Sequence, residues 1–241
     1  MPRRIPLLFT FVAVVLTASA FAQTNLDSFS LGKTQIKIPT PEGFAPVSSQ
    51  FPRVFGRFTA TESADNVVLE VHVEDPLLND LIRNEDVDLA FYTKVSAPRD
   101  AGVVNLQEFA TLIKQLEGQI GGFFDPRNPQ LAAATKNIRE GLSQHNREES
   151  TFDLKATKDL GSFERLPNVF SHMVLLNVET RRGTIPLLAT SSIMLLNGRL
   201  VFVSTYRRLT EVMDAESLRD FAKKWTAEIL AANEPATAVV R

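Results

Sequence analysis

The sequence predicts an α+β fold: an antiparallel β-sheet with a C-terminal meander, packed by a central helical hairpin and a C-terminal helix. Three observations point to it. Residues 67–74 alternate with the period of two of a strand lying on a core. Residues 106–120 and 218–229 carry apolar side chains at three- and four-residue spacing, the period of an amphipathic helix. Between 169 and 206, three long apolar runs are separated by turn residues, the pattern of consecutive antiparallel strands.

The chain opens on a leader. Arg3 and Arg4 precede an apolar run over 7–16, and Ala20, Phe21 and Ala22 form a small-x-small exit. This is the pattern of a cleaved export signal over 1–22. A spanning helix needs about 20 apolar residues, and Thr10, Thr17 and Ser19 dilute this run. Residues 23–241 are then expected to form a single α+β domain, with no membrane span after signal removal. The 241 residues include no cysteine. Disulfides, thiol catalysis, thiolate metal sites and lipid acylation at cysteine are thereby excluded. A short leader on such a chain points to a bacterial periplasm or to secretion.

The net charge of −2 becomes more negative once Arg3 and Arg4 are removed, which argues against nucleic-acid binding. The charge is unevenly spread. Residues 61–90 hold nine acids against Arg83, whereas 180–210 hold five arginines and no acid. Two such faces could steer a partner.

Along the mature chain, 23–32 reads as a loose lead-in. At 34–38, Ile36 and Ile38 alternate with Gln35 and Lys37 until Pro39, Pro41 and Gly43 stop the strand. A second strand is expected over 53–59. Over 67–74, Val67, Leu69, Val71 and Val73 face inward, with Val68, Glu70, His72 and Glu74 on the mostly polar side. A fourth strand over 89–96 is closed by Pro98. Asn105 then caps a helix, with Glu108 completing a variant of the capping box. Leu106, Phe109, Ile113, Leu116 and Ile120 form its stripe, and Gly121 and Gly122 end it. Pro129 opens a second helix at its first position, with Leu131, Thr135, Ile138 and Leu142 inward and Gly141 weakening its end.

The meander is expected over 169–179, 184–196 and 199–206. Asn197 and Gly198 make a tight hairpin turn requiring positive φ, which pairs Ile193 with Phe202 and Leu195 with Leu200. The last helix, 214–233, presents Leu218, Phe221, Ala222, Trp225 and Ile229, and ends at Asn233 and Pro235.

Candidate chemistry is sparse. Glu70, His72 and Glu74 share a strand face at steps of about 7 Å and could contribute to a metal site, although zinc would want a further imidazole or thiolate. His172 lies on an apolar face. If the loop after Thr180 counts three residues, His172 falls opposite Ser192, a pair able to activate a nucleophile. A two-residue loop separates them. Ser192 lacks the Gly-x-Ser-x-Gly elbow. Asp80, Glu85, Asp86 and Asp88 lack the spacing of a calcium loop. His145 suits a helix C-terminus, and Phe123 and Phe124 are hairpin packing or a hydrophobic anchor. No glycine loop for phosphate is present, and no cofactor is expected.

The strand running into Ile38, Pro39, Thr40, Pro41, Glu42, Gly43 and Phe44, with the strand over 200–206 before a final helix, resembles the PsbP-like α/β/α sandwich proteins, which include exported bacterial members. The resemblance implies the fold and a non-catalytic binding or assembly role. It maps no functional residue, and the hairpin over 105–145 stands as an insertion. The function expected is that of an exported, non-enzymatic periplasmic protein binding a protein, envelope or small-molecule partner. The alternative is a hydrolase or metal-dependent enzyme using His172 and Ser192, or Glu70, His72 and Glu74.

Overall fold

A computed structural model describes residues 26–83, 89–100, 102–123, 127–146, 152–180 and 183–234. The leader over 1–22, Glu85, Asp86, Asp88, Phe124, Arg181 and Arg182 lie outside the described residues. The chain begins with a hairpin of β1 (Leu26–Leu31) and β2 (Thr34–Pro39). There follow β3 (Phe44–Pro46), α1 (Pro52–Ala60), β4 (Asn66–Glu74), a 3-10 turn, α2 (Leu78–Arg83) and β5 (Phe91–Pro98). Next come α3 (Leu106–Phe123), α4 (Pro129–Asn146), the strands β6 (Asp153–Leu166), β7 (Val169–Thr180), β8 (Gly183–Leu196) and β9 (Arg199–Arg208), and α5 (Asp214–Asn233). Strands β3 to β9 make one antiparallel sheet in the order β3-β4-β5-β9-β8-β7-β6.

Helices cover both faces. On one, Trp225 and Ile229 of α5 pack with Ile36, Ile38, Met194 and Val203. The Trp225 indole Nε1 donates to the Pro39 carbonyl at 2.8 Å. The Asn233 side chain pairs with the open edge of β2 as a strand would: Lys37 N–H donates to Asn233 Oδ1 at 2.9 Å, and Nδ2 donates back to the Lys37 carbonyl at 2.7 Å. On the other face, Val54 of α1 packs with Val71 and Val73, and Phe109 and Ile113 of α3 pack on Phe170 and Leu195.

Several expectations change. Residues 53–59 belong to a helix, because Pro52 pre-sets its first turn and Val54, Phe55 and Phe58 fall on one helical side. The lead-in pairs as β1, turning back at Gly32 with φ of 64°. Strand β4 has no solvated face, since Glu70 and His72 are 2 % and 0 % exposed. Helix α3 runs through Gly121 and Gly122 to Phe123. Its start matches the reading: the Gln107 and Glu108 amides donate to Asn105 Oδ1, and Asn105 N–H donates to Glu108 Oε2.

Strand β6 had no sequence signal. Three register irregularities and Gly161 at φ 85° break its alternation, and the same bulges guard this long edge against strand addition.

The α3–α4 hairpin meets α1 through two glycines. The His145 ring sits over Gly56, whose added β-carbon would lie 2.9 Å from Cε1, and a β-carbon on Gly141 would run into the Ala60 carbonyl. Gly141→Ala is therefore expected to push α4 off α1 and cost about 1–3 kcal/mol. Urea unfolding and amide exchange would show it as faster exchange in α4 with α5 unchanged. Unaltered exchange in α4 would mean that this contact does not hold the hairpin down.

Candidate functional site

The register of β7, β8 and β9 arranges the sheet face beneath the hairpin in transverse rows. Ser204, Ser191 and His172 stand opposite one another in one row. Phe202, Ile193 and Phe170 form the row on one side, and Tyr206, Ala189 and Val174 the row on the other. Above them, Leu116 and Ile120 of α3 and Leu131 and Ala134 of α4 form a roof, and a cavity of about 1040 Å³ lies between. The polar row explains why the hairpin does not seal onto this floor. Covering hydroxyls with leucine and isoleucine leaves them unpaired at a cost of about 1–3 kcal/mol each.

His172 is 5 % exposed, with Nε2 2.9 Å from Asp159 Oδ1. Burial holds its imidazole below the ordinary histidine value, against the pull of Asp159. The ring is therefore neutral at pH 7. At the opposite end of the same row, Lys94 of β5 pairs with Ser204, and its Nζ lies 2.7 Å from Glu62 Oε2. Tyr206 stacks on Tyr92 with centroids 4.7 Å apart, and burial pushes the Tyr92 phenol up, with Tyr206 adding to it.

The Ser192–His172 pair does not form. Thr180 pairs with Gly183, so the loop holds two residues, and His172 faces Ser191. Ser192 points to the α5 side, where its Oγ is 2.7 Å from Ser171 Oγ. Ser171 donates to Glu164, which also accepts from Thr226 of α5.

Glu70, His72 and Glu74 do not converge either. The Glu70 carboxylate accepts from the Ser48 N–H, the Ser48 hydroxyl and the Val71 N–H. His72 lies against the edge of Trp225 with centroids 5.5 Å apart, its Nδ1 3.0 Å from Thr93 Oγ1. Its Nε2 has no partner among the described residues, and burial lowers its pKa to about 3. Glu74 sits at the strand end, where burial raises its pKa against the pull of Arg207. Among the described residues, no three His, Asp or Glu side chains gather as a metal site.

His145 rests on α1. Within the uneven charge, Glu62 holds Lys94, and Arg207 bridges to Asp214 at 3.3 Å and lies over the Phe91 ring. No helix among the described residues is long and apolar enough to cross a membrane.

Ser191, Ser204 and Tyr206 were not singled out as site residues by sequence reasoning. The signal was available: the Asn197–Gly198 turn that pairs Ile193 with Phe202 also pairs Ser191 with Ser204.

No family model matches the chain, and no curated protein matches it. Among solved structures it is similar to the Ran-binding protein Mog1p of Saccharomyces cerevisiae, at 10% identity and a TM-score of 0.34, over 88% of this chain and 93% of that one. It is also similar to the cyanobacterial PsbP protein, CyanoP, of Synechocystis, at 11% identity and a TM-score of 0.39, over 87% and 96%. The PsbP-like resemblance read from the sequence thus has a structural counterpart, as a loose likeness of fold. It carries nothing about the cleft.

Proposed function

We propose that this chain is an exported, non-enzymatic binding protein that holds a small amphipathic molecule between the α3–α4 hairpin and the β7–β9 floor. The observation that carries the reading is the cleft itself: about 1040 Å³, mostly apolar, with a few convergent polar groups in its floor. The leader over 1–22 supports export, and the split of Ser192 from His172 favours binding over hydrolysis.

The test is a titration with 1-octanol followed by amide chemical shifts. Saturable shifts clustered around Ile193, Phe202 and Ile120 are expected. Ile120→Glu places a carboxylate in the half-buried roof and is expected to weaken binding at least about tenfold, since stripping a charge of water inside an apolar site is costly. Shifts scattered over the surface, or equal affinity in the variant, would sink the reading.

A further inference from the structure

We infer that the molecule taken by the cleft is a single-chain amphiphile with an uncharged polyol head, an alkyl or acyl chain carried on a sugar or a glycerol. The inference rests on the cleft-binding reading above and adds the chemistry of the ligand.

Ser204, Ser191 and His172 sit on adjacent strands, so the three polar groups follow one another at about 4.8 Å. The two hydroxyls each donate and accept, and the neutral imidazole lies beside them with its Nε2 engaged by Asp159. Among the described residues, neither serine hydroxyl has a hydrogen-bond partner in the protein. A polyol offers the matching set, several hydroxyls in succession that donate and accept in turn. A hydrocarbon lying on the row would leave both serine hydroxyls unpaired.

Charge argues against an ionic head. Burial holds His172 neutral, and Asp159 beside it repels an anion. Lys94, the cation of the same row, is already engaged by Glu62. Arg127, the one permanent charge among the described residues lining the cavity, belongs to the exposed connector between α3 and α4 and not to the floor.

The tail has its own surface. Apolar rows flank the polar one, with Phe170, Ile193 and Phe202 on one side and Leu116, Ile120 and Leu131 overhead. The volume, at the top of the range of small-molecule pockets, accommodates a head and a chain together.

The experiment is calorimetric titration at pH 7 of the unmodified protein with four probes sharing one chain length, each below its micellar concentration: octyl β-glucoside, 1-monooctanoylglycerol, octanoate and 1-octanol. At least one polyol probe is expected to bind about tenfold or more tighter than octanol and octanoate, the net gain of a few added hydrogen bonds. The tighter of the two names a glycolipid or an acylglycerol as the source. Ser191→Ala with Ser204→Ala is expected to erase the advantage while octanol affinity stays within about twofold. Octanol or octanoate binding as tightly as both polyols overturns this inference and leaves the cleft reading standing, as does a double variant that keeps the preference. Failure of all four probes to bind overturns the cleft reading itself.

Discussion

Replacing Trp225 by alanine is expected to cost about 3–5 kcal/mol of folding stability, a large part of the margin of an ordinary domain. The side chain is 1 % exposed and sits among Ile36, Ile38, Val203 and Ile229, so truncation leaves a void that α5 and the β1–β2 hairpin must both collapse into. It also removes the indole donor from the Pro39 carbonyl, leaving that acceptor buried without its 2.8 Å partner. Trp225→Phe keeps most of the packing and loses only this bond, so a smaller cost of about 1–2 kcal/mol is expected. Denaturant midpoints followed by far-ultraviolet circular dichroism suit both variants, because substitution removes the only tryptophan fluorophore. A loss under about 1 kcal/mol for the alanine variant would show that α5 and the hairpin are held together by something else.

His72 is expected to make the protein acid-sensitive in a defined window. Its pKa is about 3 in the folded chain, against 6.5 for the ordinary group. Between those values the unfolded chain binds a proton that the folded chain refuses, so stability rises with pH. The folded state is therefore undisturbed by this group above about pH 6.5 and loses stability progressively down to about pH 3, at up to about 1.4 kcal/mol per pH unit. His72→Phe keeps an aromatic ring against Trp225 and cannot be protonated. Urea unfolding of both proteins between pH 7 and pH 4 isolates the residue, because every carboxylate titrates in both. The stability of the wild type relative to the variant should fall steadily as the pH drops, and parallel curves would disprove a buried neutral imidazole.

What the sequence made legible depended on whether one local rule governed a segment. Helix α5 spans 214–233 as read because its apolar stripe and its ends agree. The β8–β9 register follows from Asn197 and Gly198, with φ of 50° and 76°, since few other residues accept that turn. Helix α1 was read as a strand because its phenylalanines and valine suit either state over so short a run. The burial of Glu70 depended on Ser48, a distant residue reaching over to satisfy the carboxylate. A period of two cannot distinguish a polar face in water from one covered by protein. The Ser192 pairing turned on one residue of loop length, which reverses every side chain of a strand. The cleft was hidden for another reason: the stripes of α3 and α4 imply contact with the sheet, and only the assembled rows show where contact stops.

The described residues of the cleft, roof and floor together, lie between residues 116 and 206. That stretch falls inside the loop closed by β5 on β9, where Phe91 pairs with Arg207 across roughly a hundred residues of intervening chain. The contacts of β6 with β7, β7 with β8, and β8 with β9 join neighbours in sequence and close cheaply, whereas the β5–β9 seam is the long-range step that tends to set the rate of folding. The ligand floor is thus expected to be ordered before the two halves of the sheet join. An amphiphile present during folding would then meet its polar row while the N-terminal half of the chain is still unattached.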